Sequence, residues 1–375
     1  MPSGIPDRRQ FLGTMATIGA MAAAGKSEAL NAATGGSALR WPKLAGSPVL
    51  DSLHPVIEHS RDVHTNVDKI VEVAGWMAYE ELPMPDYQMP FGMGQGSADD
   101  VIDFILTADC VDTAFTDFST HVKFQVDYAG RHWSDSDGLF ACMKRAMDNG
   151  IPILDGKYLA RVTRPEMERI FAANIELPML DEKMEIWHQV GAVLTEKYDG
   201  RFHNFVKSCP PRLYDNGAGL IDRMVKEFPR FNDVSPYDGA SIKLYKLPQL
   251  GTWFVYSALR KSGQFPLADV DKMTAFADYI VPVALRLLGI TSYSPEIENA
   301  INTYQMIPRD SRQEVEIRAH CVLRHCAAVR RGQQPSAQRP ADHYSADRRP
   351  PVDPLSHHLV AASSNQDDHV LKIDD

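Results

Sequence analysis

Val122-Lys123-Phe124-Gln125-Val126-Asp127-Tyr128 alternates apolar with polar residues, meets Ala129-Gly130, and returns through Arg131-His132-Trp133. Alternation of period two that halts at a glycine-containing pair predicts a β-hairpin. Outward from it the spacing turns helical. Residues 137–149 predict a helix closed by Gly150 as its C-terminal cap. Residues 164–173 predict another, opened by Thr163 as N-cap with Pro165 in the first turn. Further helices are expected over 181–198, 217–227 and 269–288, the last carrying Pro282 and ending at Gly289, and upstream over 67–74. With no internal repeat and no βαβ alternation, the fold class is mainly α with a small β-hairpin element, in a single globular domain.

The chain has 375 residues and a net charge of -10, which argues against a general nucleic-acid binder because such a protein normally carries a basic stripe. Cys110, Cys142, Cys209, Cys321 and Cys326 are an odd, scattered set without a CxxC pair, so free thiols are expected rather than a disulfide framework. His320-Cys321 and His325-Cys326 have no second ligand pair at finger-like spacing, and no metal is expected. Gly92-Met93-Gly94-Gln95-Gly96 lies in the Pro-, Met- and Gly-rich stretch 81–97 with no strand before it, and reads as plain loop.

Residues 1–48 read as a leader-like segment and linker. Arg8-Arg9 before Phe11-Leu12, followed by small apolar residues, resembles a twin-arginine leader over 1–33, too short to span a bilayer permanently. The rest of the chain reads as cytoplasmic, and export is the alternative. The folded body is expected over 49–328, patterned from about Pro55 on. Residues 329–375 are rich in Arg, Pro, Gln, Ser and His, and disorder is expected there.

Five stretches, in order, resemble the queuosine salvage protein family, the queuosine 5'-phosphate N-glycosidases. They are Ser60-Arg61-Asp62-Val63; Trp133-Ser134 with Leu139-Phe140-Ala141-Cys142, Arg145-Ala146 and Gly150-Ile151-Pro152-Ile153; Tyr245-Lys246-Leu247-Pro248-Gln249 with Trp253; Thr274-Ala275-Phe276-Ala277-Asp278-Tyr279-Ile280-Val281-Pro282; and Arg312-Gln313-Glu314-Val315-Glu316-Ile317-Arg318. The resemblance covers roughly residues 55–325. It implies a helical fold distantly like the DNA glycosylases of the helix-hairpin-helix type. It also implies hydrolysis of queuosine 5'-phosphate to queuine and ribose 5-phosphate, with no cofactor. It further puts Asp278 on the family's catalytic aspartate and Lys246 on its active-site lysine. Two departures stand out. Thr113-Ala114-Phe115 replaces an Asn-Phe pair, and the Arg- and Pro-rich tail replaces an aromatic, acidic segment that contributes to base recognition.

Breaking an N-glycosidic bond builds positive charge on the ribose, and a carboxylate such as Asp278 stabilises it or traps it covalently. The plain alternative for Asp278 is a helix-capping or salt-bridging role. A 7-deazapurine has no N7 to protonate, so hydrogen bonds to the base edge matter more, and Asp310, Glu314 and Glu316 are candidate acceptors by composition. Lys246 suits the 5'-phosphate or the polarisation of Asp278. Arg312 and Arg318 suit substrate binding or an internal ion-pair network. Phe276 and Tyr279 flank Asp278, while Phe115, Phe118, Trp133 and Trp253 are stacking candidates or simply core. His64 reads as a general acid or, more plainly, as an exposed residue at a capped helix start. Two other functions remain in view: a degenerate family member that binds without turnover, and a glycosidase for another nucleotide.

Overall fold

The hairpin forms where the alternation puts it. In the computed structural model, which describes residues 47–77 and 96–333 with side chains over 47–75 and 96–322, Gln125–Tyr128 pairs antiparallel with Arg131–Ser134. Ala129 and Gly130 both take left-handed φ, +52° and +73°, the turn whose twist matches that of its strands. The first half of the chain forms α1 (Pro48–Ser52), α2 (His54–His59), β1 (Val63–Thr65), α3 (Val67–Met77), α4 (Ala98–Asp109), β2 (Gln125–Tyr128), β3 (Arg131–Ser134), α5 (Asp135–Asp148), α6 (Gly156–Leu159) and α7 (Arg164–Ile170). Then come α8 (Leu180–Lys197), α9 (Phe202–Lys207), α10 (Leu220–Glu227), β4 (Val234–Tyr237), β5 (Ala240–Lys243), α11 (Lys246–Leu259), α12 (Ile280–Leu287), β6 (Thr291–Tyr293), α13 (Pro295–Asn302) and α14 (Arg312–Gln333).

The mainly α reading holds, and the helix ends follow local chemistry. Ser97 and Asp100 form a capping box at α4, and Thr163 and Glu166 form one at α7 with Pro165 in its first turn. Gly150, at φ +75°, follows α5 in the position only glycine takes without strain.

Several expectations need correction. The hairpin is not the only β element: β1 pairs with β6, and β4 with β5. The β1–β6 pair joins Val63 to Tyr293 and Thr65 to Thr291, partners too far apart in sequence to leave a local signal. The β4–β5 turn had one, the left-handed Asp238-Gly239 pair. His64 therefore sits exposed in a strand rather than at a helix start. The expected 269–288 helix exists only as α12, after a 3-10 turn at Val270–Lys272 and an irregular stretch. Pro282 explains this, because it falls within the first turn, where amides have no carbonyl to reach and a missing N–H costs nothing. Order also begins earlier than Pro55, at α1, and α14 continues past Ala328 to Gln333. The leader, most of the 81–97 loop and the tail from 334 on lie outside the described residues.

The chain divides into two compact units. Among the described residues one holds 47–77, Ser235–Ile242 and 273–333, and the other holds 96–234 and Lys243–Lys272. In the first unit α14 lies against α2, α3, β1 and α12, over small clusters built on Ile70, Val281 and Leu285 and on Val63, Ile297 and Ile317. In the second unit α11 and α9 lie against α4, and α8 against α6 and α7. Its core is aromatic: Phe205 meets Tyr198 and Phe228 edge-on at centroid distances of 5.3 and 5.1 Å, and Phe171 meets Trp187 at 5.4 Å.

Helices α6 and α8 approach so closely that a methyl group on Gly191 would lie 2.4 Å from the Ala160 nitrogen and 2.6 Å from the Gly156 oxygen. Backbone cannot yield as a flexible side chain does. Gly191→Ala should therefore lower unfolding free energy by about 1–3 kcal/mol despite alanine's better helix propensity. Urea denaturation that finds the variant as stable as the parent would contradict this packing.

Candidate active site

In the first unit Asp278 precedes α12. Its Oδ1 accepts hydrogen bonds from the backbone N–H groups of Ile280 (3.0 Å) and Val281 (2.9 Å), so it caps the start of α12. The chain before it is held by α14. Arg318, buried, donates from Nε to the Ala277 carbonyl at 3.1 Å and from Nη1 to Glu314 Oε1 at 3.0 Å. The Cys321 thiol donates to the Phe276 carbonyl at 3.7 Å. Phe276 is buried and Tyr279 half-buried. Phe276, Asp278, Glu314 and Arg318 thus belong to one connected structure, with Asp278 fixed at a helix start, where the amide dipoles favour negative charge.

The Arg312–Arg318 pattern forms an internal ion-pair network. Arg312 pairs with Asp62 Oδ2 at 2.8 Å, while Glu316, fully buried, accepts from the backbone N–H groups of Arg61, Asp62 and Val63 and from the Tyr237 hydroxyl at 2.8 Å. Burial, and then the Glu316 carboxylate it bonds to, push the Tyr237 hydroxyl well above its ordinary pKa. Arg61 and Asp62 do tie their segment to the body, but through backbone amides and the Asp62 carboxylate rather than the Arg61 side chain. His320 is held by hydroxyls, Ser60 Oγ at 2.6 Å and Thr65 Oγ1 at 3.1 Å, and the side chains of His325 and Cys326 lie outside the described residues.

In the second unit Lys246 opens α11. Tyr245 before it has φ +47°, a strained conformation for a bulky residue, held because Asp233 braces the turn. The Asp233 carbonyl accepts from Leu244 N at 3.0 Å and its Oδ2 from Lys246 N at 3.1 Å. The half-buried Lys246 ammonium donates to the Asp112 carbonyl at 3.4 Å, a long bond that leaves donors to spare. Phe115, three residues on, is buried in the aromatic core, as is Trp133. Ala114 between Asp112 and Phe115 is also left-handed, at φ +49°. Trp253 is buried beside Tyr256, whereas Phe118 is exposed.

Two residues that sequence reasoning passed over stand beside Lys246. Asp109, in the last turn of α4, and Asp112 are 1% and 5% exposed. Ser136 donates to Asp112 Oδ1 at 2.5 Å, but neither oxygen of Asp109 has a hydrogen-bond partner among the described residues. Burial raises both carboxyls above the usual aspartate range, and the Asp112 charge raises Asp109 further. A signal was present for Asp109, since an aspartate inside the largely apolar run Phe104–Val111 is unusual enough to question.

Comparison with known proteins decides the relationship. The family model described as queuosine salvage protein matches residues 93–346, well over half of the chain. This chain belongs to the queuosine salvage protein family. The resemblance carried by the five stretches is borne out. Similar relatives include the queuosine 5'-phosphate N-glycosylase/hydrolase of Sphaerobacter thermophilus, 32% identical over 72% of this chain and 81% of its own length. That of Bos taurus is 30% identical over 70% of this chain and 78% of its own, and that of Mus musculus 28% identical over 72% and 80%.

Glu316 has no solvent to fall back on. Glu316→Ala leaves three backbone donors and a tyrosine hydroxyl without their acceptor and should cost about 3–5 kcal/mol, while Glu316→Gln, which keeps one acceptor, costs less. Chemical denaturation of both variants checks this, and a loss under 1 kcal/mol for the alanine variant would contradict a supporting role.

Proposed function

We propose that this chain hydrolyses the N-glycosidic bond of queuosine 5'-phosphate, so that water adds to the anomeric carbon and queuine leaves with a proton, giving ribose 5-phosphate. The observation that carries this reading is family membership together with relatives so named that align over about four-fifths of their length. The helix-hairpin-helix DNA glycosylase likeness, the absence of a cofactor and a cytoplasmic location are parts of the same proposal. Among the described residues no helix is long and apolar enough to cross a membrane. The net charge of -10 argues against DNA as the substrate.

Asp278 is the proposed catalytic carboxylate. Its Oδ1 is fixed by two amides, which sets the side chain's orientation before substrate arrives, and its negative charge stabilises the oxocarbenium-like state at the ribose. A departing 7-deazapurine lacks N7, so more of the barrier falls on this charge. Lys246 is the proposed partner of the 5'-phosphate, because among the described residues its ammonium donates one long hydrogen bond, to a carbonyl, which leaves donors for an anion. Phe276, Tyr279 and Phe115 are assigned apolar or stacking contact with the base or sugar. Arg312, Glu314 and Arg318 are assigned to substrate binding. For Arg318 and Glu314 the support is their bond to the segment carrying Asp278.

The capping role of Asp278 lets charge be separated from structure. Asparagine caps as well as aspartate does, so Asp278→Asn should keep the thermal midpoint yet lower queuine release at least 100-fold, about 3 kcal/mol of transition-state stabilisation. Asp278→Ala should lose the same activity plus about 1 kcal/mol of stability. Turnover by chromatography, with melting curves beside it, reads both, and parental activity in the asparagine variant would remove Asp278 from the chemistry. Lys246→Ala should raise KM at least tenfold for the phosphorylated substrate, and far less for the unphosphorylated nucleoside, a difference of at least 1.4 kcal/mol. Equal effects on the two substrates would exclude a phosphate contact.

A further inference from the structure

Asp109 and Asp112 take no part in the reaction as described, yet they occupy the most guarded position around Lys246. The cations near them come from three elements: Lys246 of α11, Arg230 of the 3-10 turn Pro229–Phe231, and Lys183 of α8. Arg230 Nε donates to the Cys110 carbonyl at 2.8 Å, and Lys183 Nζ to the Pro178 carbonyl at 2.7 Å. The remaining groups are the buried Cys110 thiol, whose pKa burial and then Asp109 raise, and the Ser136 hydroxyl of α5. Two carboxylates in one buried site repel each other, and a second buried anion gains less from the same cations than the first.

The two carboxyls are not equivalent. Asp112 has the Ser136 hydroxyl as a donor and is opposed by all three cations. Among the described residues Asp109 has no donor on either oxygen, and its Oδ2 rests over the bare Cα of Gly251 in α11, where an added methyl group would come within 2.4 Å. Asp109 is also buried, and solvent is what an unpaired carboxylate needs.

We propose that Asp109 is held as the neutral acid and Asp112 as the carboxylate, so that the pair presents one negative charge to Lys246 and leaves its ammonium able to take a substrate anion. Asp109 is thus a positioning residue that acts through Lys246. A second charge on the pair would bind the ammonium inward and oppose the arrival of a phosphate. The inference rests, for its effect on activity, on the reading of Lys246 given above. The division of charge itself does not.

A carboxyl whose folded pKa is raised above the ordinary aspartate value of 3.8 stabilises the fold below that value, and the contribution is lost as pH rises through the folded pKa. The parent should therefore lose stability relative to Asp109→Asn, a permanently neutral isostere, as pH rises from about 4.

Carboxyl-carbon NMR of the full chain labelled at aspartate tests the division directly. At neutral pH one protonated aspartate resonance is expected, absent from Asp109→Asn and present in Asp112→Asn. Its absence from the parent, or its loss in Asp112→Asn alone, overturns the assignment. Lys246→Ala should move the Asp112 titration to higher pH, and an unmoved midpoint overturns the coupling to Lys246. For catalysis, KM of the parent for queuosine 5'-phosphate should rise at least threefold on the alkaline side, and Asp109→Asn should flatten that rise. Identical KM profiles in a parent that turns over would overturn the positioning role. A parent that releases no queuine would instead count against the proposed function, while the NMR titrations still decide the charge division.

Discussion

The Glu316 carboxylate, sealed from water, is tolerable only because donors from separate parts of the chain close on it. Three are consecutive amides, Arg61 to Val63, and the fourth is the Tyr237 hydroxyl. A buried carboxylate without such partners would be neutralised or would unfold its surroundings. The requirement fixes α14 against the segment leading into β1, and β1 in turn pairs with β6. Two residues further along the same helix, Arg318 reaches the carbonyl of Ala277 and orders the stretch that carries Asp278. The position of the proposed catalytic carboxylate is thus inherited from the need to satisfy a different one.

The second unit handles buried charge differently. Its core is a close-packed set of aromatic and aliphatic side chains, into which the end of α4 brings Asp109 and Asp112. Here the carboxyls are not surrounded by amides. They are approached by long cationic side chains and, at Gly251, by bare backbone. Strain accompanies this arrangement, at Ala114 and at Tyr245, the residue directly before Lys246. Non-glycine residues in left-handed conformation persist only where their surroundings over-determine them, and Asp233 supplies that hold at the start of α11.

Pro282 illustrates how one residue changes the meaning of its neighbours. Read as the kink of a long helix, it would have left Asp278 one more polar residue on a helical face. As part of a first turn it makes Asp278 the residue that caps that turn. Capping and catalysis are compatible, because both amides are met by one oxygen and the charge of the group is retained.

Much was legible in the sequence because it depends on neighbours along the chain. The hairpin at Ala129-Gly130, the N-cap at Thr163, the glycine after α5 and the mainly α class all follow from local propensity and short-range hydrogen bonds. The family, too, was carried by motifs in order. Tertiary structure alone decided what depends on distant partners: the β1–β6 pair, the donors around Glu316, the hold of Arg318 on Ala277, and the place of Asp109 over Gly251. Local pattern records how a residue suits its own turn or strand. It carries no record of which buried charge, some two hundred and fifty residues away, that residue must answer.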